Sequence, residues 1–200
     1  VQMTIFAQAP AIQWQKTFGG TGRDVAFSIE LTSDGGYIMA GYTTSTNTDI
    51  TGYHGGNSDA WVIKLSVTGS LEWQKTLGGT STDGASSVKP TSDGGYIVAG
   101  YTTSNDGDVT GNHGSHDAWV VKLSSTGVVE WQKALGGNEN DGAYSIQCAP
   151  NGGYIVAGYT TSNNGDVAGN HGNCDAWVVK LGFTGAIEWQ KTLGGSYIDS

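Results

Sequence analysis

The side chains best suited to chemistry in this sequence are carboxylates and amides set in glycine-rich stretches. One stretch reads Asn105-Asp106-Gly107-Asp108-Val109-Thr110-Gly111-Asn112-His113-Gly114, and another reads Asn163-Asn164-Gly165-Asp166-Val167-Ala168-Gly169-Asn170-His171-Gly172. A third, earlier one carries Asn47-Thr48-Asp49 and then Gly52-Tyr53-His54-Gly55. Asp and Asn oxygens on a glycine-rich turn are hard donors of the kind Ca²⁺ takes. Asp49, Asp108 and Asp166 are therefore candidate calcium ligands. The spacing is not that of an EF-hand, because no Glu closes the loop. The alternative is that these side chains form Asx-turns and hold the loop to its scaffold. His54, His113 and His171 occur once in each stretch. A zinc site needs several ligands converging on one ion, so each His is expected to lock its loop by a hydrogen bond to a carbonyl or an Asp. His116 has no counterpart and is expected in solvent.

Two further acidic sets recur. Asp24, Asp83 and Asp141 each follow a Gly-Gly pair, and would either form an acidic collar that binds cations or cap the glycine-rich turn. Glu72, Glu130 and Glu188 precede Trp and are the carboxylates to test as glycosidase acids. Glycoside hydrolysis needs two carboxylates at a set separation in one cleft, with their pKa values pushed apart, and identical copies do not make such a pair. No Gly-x-Ser-x-Gly and no Cys-x-x-Cys is present. Symmetric repetition without a unique nucleophile points to binding or scaffolding. Tyr42, Tyr101 and Tyr159, each beside Thr-Thr-Ser, are candidate ligand-binding aromatics that would stack on a sugar, with packing as the alternative.

These residues recur because the chain does. Trp14, Trp73, Trp131 and Trp189 each precede Gln-Lys and lie 59, 58 and 58 residues apart. Ala-Gly-Tyr-Thr-Thr-Ser occupies 40–45, 99–104 and 157–162, and Asp-Ala-Trp-Val occupies 59–62, 117–120 and 175–178. The units run 14–72, 73–130 and 131–188, with a fourth begun at 189–200. A period of this order marks solenoids or propellers.

Each unit reads as four short strands. In the second unit these are Ala85–Lys89, Tyr96–Tyr101, Trp119–Leu123 and Val128–Leu135, with a long polar loop over 102–116. Asp93-Gly94-Gly95 and Ser125-Thr126-Gly127 supply tight hairpin turns, so the strands run antiparallel. Helical periodicity is absent. Tyr96–Tyr101 is apolar on both faces, whereas a sheet with one wet face alternates. Both faces must then be covered, as in a β-propeller, where each four-stranded antiparallel blade lies between two others. The expected fold is all-β, an incomplete ring of such blades with a repeat of about 58 residues. The run Ile12–Phe18 should form an outermost strand, on the first blade or on an absent neighbour.

Seven Trp and nine Tyr are too much aromatic surface to leave wet, so disorder is excluded. The net charge of −9, with Arg23 and Lys89 the only basic residues outside the repeat pattern, argues against nucleic acid. No apolar stretch is long enough to span a bilayer, so no membrane insertion is expected. Residues 1–11 read as a signal-peptide remnant or an N-terminal arm, because Val1–Ala9 is apolar and ends small-x-small. Cys148 and Cys174 are expected at opposite ends of the third unit, too far apart for a disulfide.

The pattern Leu-Gly-Gly, Asp-x-Ala, Ser-Asp-Gly-Gly-Tyr-Ile-Val-Ala-Gly-Tyr-Thr and Asp-Ala-Trp-Val-Val-Lys-Leu-x-x-Thr-Gly resembles the SBBP-type bacterial β-propeller repeats over residues 12–200. The resemblance implies a large secreted or cell-surface protein, often a type IX secretion substrate in Bacteroidetes. The loop before Asp-Ala-Trp is longer and richer in Asn, Gly and His than that pattern, and no sorting domain is present. The expected function is non-catalytic, for binding, adhesion or display, with an extracellular glycan or protein as ligand. The alternative is an accessory propeller of an extracellular carbohydrate-active enzyme whose catalytic domain lies elsewhere.

Overall fold

The computed structural model describes residues 11–197 and 199. The signal-peptide reading of Val1–Ala9 lies outside them. The described residues hold twelve strands: β1 (Asp24–Leu31), β2 (Tyr37–Thr43), β3 (Asp59–Leu65), β4 (Leu71–Leu77), β5 (Asp83–Pro90), β6 (Tyr96–Thr102), β7 (Asp117–Leu123), β8 (Val129–Leu135), β9 (Asp141–Cys148), β10 (Tyr154–Thr160), β11 (Asp175–Leu181) and β12 (Ile187–Leu193). They form three four-stranded sheets in the orders β1-β2-β3-β4, β5-β6-β7-β8 and β9-β10-β11-β12. Every ladder is antiparallel. The strands start earlier than the apolar pattern suggests, at Asp83 and Asp117, because the backbones of these two residues pair in register with Thr102 from either side.

The turns follow from their residues. At Thr91–Gly95 the Gly94 N–H donates to the Thr91 carbonyl at 3.0 Å, and Gly94 takes a φ of 83°, which a side chain would strain. The first strand of each sheet carries a bulge. Phe27, Ser86 and Tyr144 are skipped in the pairing with β2, β6 and β10. Gly41, Gly100 and Gly158 lie opposite, where a Cβ would fall onto the carbonyl oxygen of Val25, Gly84 or Gly142. The repeated Ala-Gly-Tyr thus needs its glycine for close backbone approach.

The sheets stack face to face. Strand β5 lies across β1, β2 and β3, and β9 lies across β5, β6 and β7. The far face of the first sheet (Ile38, Ala40, Ala60, Val62, Leu77) meets Val88, Tyr96, Val98, Trp119, Val121 and Leu123 of the second. The far face of the second (Ile97, Ala99, Ala118, Val120, Leu135) meets Ile146, Tyr154, Val156, Trp177, Val179 and Leu181 of the third. Both middle strands β3 and β7 are buried along their whole length, which explains strands apolar on both faces.

Outer-strand tryptophans staple one sheet to the next. Trp73 lies 5.8 Å from the Tyr96 ring and over the turn glycine Gly127. Trp131 lies 5.9 Å from Tyr154 and over Gly185. Trp14 repeats this on the first sheet, 5.7 Å from Tyr37 and over Gly69. Residues 11–20 have no ladder partner. The expected outer strand Ile12–Phe18 is therefore not a strand here, although its Trp stands where the outer strand of a preceding sheet would place it.

Candidate binding site

The repeated polar residues converge on one structural task. Before β5, five consecutive amides are taken by side chains. Gly78 N–H donates to Asp108 Oδ2 (3.4 Å), Gly79 to Asp83 Oδ2 (2.8 Å), Thr80 to Asp106 Oδ1 (2.8 Å), Ser81 to Ser104 Oγ (3.0 Å) and Thr82 to Thr103 Oγ1 (2.8 Å). The third unit repeats the series from Gly136 to Asn140, with Asp166, Asp141, Asn164, Ser162 and Thr161 as acceptors. The first repeats it from Gly19 to Arg23, with Asp49, Asp24, Asn47, Ser45 and Thr44. Thr-Thr-Ser and the Asn/Asp loop form one template that satisfies a stretch of backbone too irregular to join a ladder.

Asp49, Asp108 and Asp166 each sit in a separate unit, with one oxygen on a glycine amide. Among the described residues no group of three or more His, Cys, Asp or Glu side chains is placed to hold a metal ion. Asp24, Asp83 and Asp141 cap their glycine turns, and Asp83 and Asp141 are fully buried. They face into the sheet's own loop and make no open collar. The histidines lock their loops as expected. The Nδ1 atoms of His54, His113 and His171 lie 2.8, 2.7 and 2.8 Å from Asp59, Asp117 and Asp175 Oδ2. His54 also reaches across to the next unit, its Nε2 lying 3.6 Å from Asp108.

The other repeated groups are likewise structural. Gln74, Gln132 and Gln190 accept from the indole N–H of Trp61, Trp119 and Trp177 at 3.0, 2.8 and 2.9 Å. Glu72, Glu130 and Glu188 pair with the buried Lys64, Lys122 and Lys180 at 2.9, 3.1 and 3.1 Å. Asp34 and Asp93 add second partners at 2.8 and 2.9 Å. In the third unit Asn151 replaces that Asp, and Lys180 donates to the Gly152 carbonyl at 2.7 Å. Burial opposes the Lys64 ammonium, but Asp34 and Glu72 outweigh it and raise its pKa. Cys148 and Cys174 are both free. Cys148 pairs with Tyr154, while Cys174 precedes Asp175, which pairs with Thr160 at the other end of the sheet.

Two repeated tyrosines and two residues outside the repeat pattern, His116 and Tyr144, build an aromatic cavity between the second and third sheets. It holds about 300 Å³ and is lined by Thr82, Tyr101, His116, Gly142, Ala143, Tyr144 and Tyr159. Tyr101 and Tyr159 come together here from adjacent sheets. Tyr144, the bulged residue of β9, stands 5.4 Å from Tyr159 between ring centroids. His116 is not free in solvent: its ring lies 6.1 Å from Tyr101, and its Nδ1 lies 2.9 Å from Asn140 Oδ1. Burial pushes the Tyr101 and Tyr159 hydroxyls up, so both stay protonated donors at neutral pH. Tyr42 is not part of this cavity. It packs on Phe27 at 5.8 Å, with the Arg23 guanidinium 5.5 Å from its ring centroid. The sequence missed Tyr144 and His116 because neither repeats, yet departure from the repeat was itself the available signal. No family model matches this sequence, and no curated protein is significantly similar to it.

Proposed function

We propose that the chain is a non-catalytic segment of a β-propeller, three blades of the SBBP repeat type, in a secreted or cell-surface bacterial protein that binds or displays. The observation that carries this is the division of labour among its polar residues. The repeated carboxylates, amides and hydroxyls described above are committed to loop backbone, a buried indole or a buried ammonium. The cavity of Tyr101, Tyr144, Tyr159 and His116 instead combines two repeated tyrosines with two residues that occur once, and none of its tyrosine rings is spent on a loop. Aromatic faces beside a few hydroxyl and imidazole groups suit one ring of an extracellular glycan, apolar on its C–H side and polar at its edge. The test is a glycan array on the intact chain, with Tyr144→Ala and Tyr159→Ala alongside. The expected result is a bound class that both substitutions weaken about tenfold, since each removes a stacking face. Absence of any binder, or binders indifferent to both substitutions, overturns the glycan reading. Running the array and a thermal melt with Ca²⁺ against chelator addresses calcium. A raised midpoint makes Asp49, Asp108 and Asp166 ligands, and an unchanged one leaves them as loop locks.

A further inference from the structure

The third unit departs from the repeat in a second place, and a cavity results there too. In the first two units the β1–β2 and β5–β6 turns read Thr-Ser-Asp-Gly-Gly. The Thr32 and Thr91 hydroxyls donate to Asp34 and Asp93, and each Asp takes a buried lysine. The β9–β10 turn reads Ala149-Pro150-Asn151-Gly152-Gly153 and carries neither the Thr nor the Asp. A chain that breaks its own local pattern, at a cost in stabilising contacts, does so chiefly where function needs it. Phe183 is the other departure, standing where the first two units have Val67 and Ser125.

These residues meet the β5–β6 turn across a cavity of about 630 Å³, at the end of the second and third sheets opposite the tyrosine cavity. Small-molecule sites span about 300–1,000 Å³. Pro90, Ala149, Pro150 and Cys148 supply apolar walls, and the Cys148 thiol donates to the Pro90 carbonyl at 3.5 Å. The Phe183 ring lies against Gly152, where a Cβ would fall 2.7 Å from its edge. Phe183 is 67% exposed. Val67, its counterpart on the first sheet, is 61% exposed although the second sheet covers that one, so a missing neighbour is not what exposes Phe183.

The polar groups of this cavity point to a cation. Tyr154 is 4% exposed and lines it, and its hydroxyl has no hydrogen-bond partner among the described residues. Burial, with Asp93 adding to it, pushes that hydroxyl up to about 12, so it stays neutral and offers its oxygen as an acceptor. Asp93 is the one ionised group among the described residues that line the cavity, and its side chain is 58% exposed. Lys122 is shared between Asp93 and Glu130 at 2.9 and 3.1 Å, so two carboxylates hold one ammonium and this corner keeps a net negative charge. Across the cavity Lys180 is balanced by Glu188, and Lys89 is held by Glu30. An open aromatic face beside an uncompensated carboxylate attracts an organic ammonium ion. We propose that this cavity binds a small apolar amine, its ammonium held by Asp93, the Tyr154 hydroxyl and the Phe183 ring, and its hydrocarbon body against Pro90, Ala149 and Pro150. The site is separate from the tyrosine cavity and does not rest on the glycan reading.

The experiment titrates the intact chain at neutral pH with phenethylamine, with its neutral counterpart phenethyl alcohol and with the anion phenylacetate, following the backbone amide NMR shifts of Ala149, Gly152 and Gly153. Phenethylamine is expected to bind about tenfold more tightly than the alcohol, and phenylacetate to leave the shifts unmoved. Asp93→Asn places there the residue the third unit carries at 151, and should bring the amine down to the affinity of the alcohol. Phe183→Ser places there the residue the second unit carries at 125, and should weaken the amine about fivefold or more. Both residues are already tolerated at these positions in a sister unit, and thermal melts check that each variant is folded. Tyr144→Ala, in the tyrosine cavity, should leave amine binding unchanged. The proposal is overturned if the amine and the alcohol bind alike, if millimolar amine moves none of these amides, or if either Asp93→Asn or Phe183→Ser binds the amine as the parent chain does.

Discussion

Asp117 and Asp141 show how two identical side chains differ by surroundings. Asp141 takes the Gly137 N–H and the Ser162 hydroxyl, each at 2.7 Å, and the Thr160 hydroxyl on its other oxygen. Asp117 Oδ2 takes the His113 backbone N–H at 3.0 Å and ring Nδ1 at 2.7 Å, but its buried Oδ1 has no protein donor. Both carboxylates crowd Gly136, where a Cβ would lie 2.9 Å from Asp117 Oδ1 and 2.6 Å from Asp141 Oδ2. Burial pushes the Asp117 carboxyl up, and Asp141 adds to the shift. Asp117→Asn keeps an acceptor for His113 and removes a buried charge that Asp141 opposes, so the variant's stability to urea should be unchanged or rise, by up to about 1 kcal/mol. Asp141→Asn loses charge-assisted bonds in a buried site and should cost about 2–4 kcal/mol. Equal losses in the two variants would refute this assignment. Thr48 is the second residue-scale case. It holds φ 62°, where the other units place Gly107 and Gly165 at 64° and 66°. A β-branched residue is strained there, so Thr48→Gly should raise the thermal midpoint, by about 1 kcal/mol of stability. A lowered midpoint would show that Thr48 makes contacts worth more than the strain.

At the scale of the strand pair, buried lysines join each third strand to its neighbours. The Lys122 side chain is 3% exposed and holds Asp93 and Glu130. The Thr91 hydroxyl, the Gly95 N–H and Lys122 bring the Asp93 carboxyl down to about 2. Lys64 and the Thr32 hydroxyl hold Asp34 well below the usual carboxylate range. A carboxylate depressed on folding adds stability above its unfolded pKa of about 3.9 and loses it as pH falls through the folded value. The urea midpoint should therefore drop between about pH 4 and pH 2. The double variant Asp34→Asn and Asp93→Asn should drop less over that window, because Asn, as at position 151, does not titrate. An identical pH profile for the two proteins would remove these pairs as the cause. Strand existence, turn type and antiparallel pairing were legible in the sequence, because Asp-Gly-Gly and doubly apolar runs are local signals. The lysine pairs were not, since Lys64 on β3 and Asp34 in the β1–β2 turn lie 30 residues apart and meet only once the register is set. The loop histidines were legible because a lone repeated His has few other uses. The aromatic cavity was not, because it needs Tyr101 and Tyr159 from adjacent sheets to meet a bulged Tyr144.

Across the whole molecule, each sheet is stabilised chiefly by the next, so the chain behaves as a stack of coupled units. The middle sheet has both faces covered, and the end sheets have one face partly open. A residue of the middle sheet that meets water on one end sheet marks that difference: Ala99 is fully buried, while its counterpart Ala157 is partly exposed. The amide-by-amide anchoring of the polar loops has its own consequence, for proteases. Segments of this length without secondary structure are ordinarily the first to be nicked. Here Asp106, Asp108 and Ser104 bind the backbone before β5, Asn112 donates to the Ser104 carbonyl at 3.1 Å, and Val109 is plugged into the core. A protease must fit an extended strand into its cleft, and these loops can supply one only after several such bonds break together. Limited digestion of the native chain should therefore leave residues 104–113 and 162–171 uncut until global unfolding, and Asp106→Ala should open the first of them to cleavage while the second stays closed.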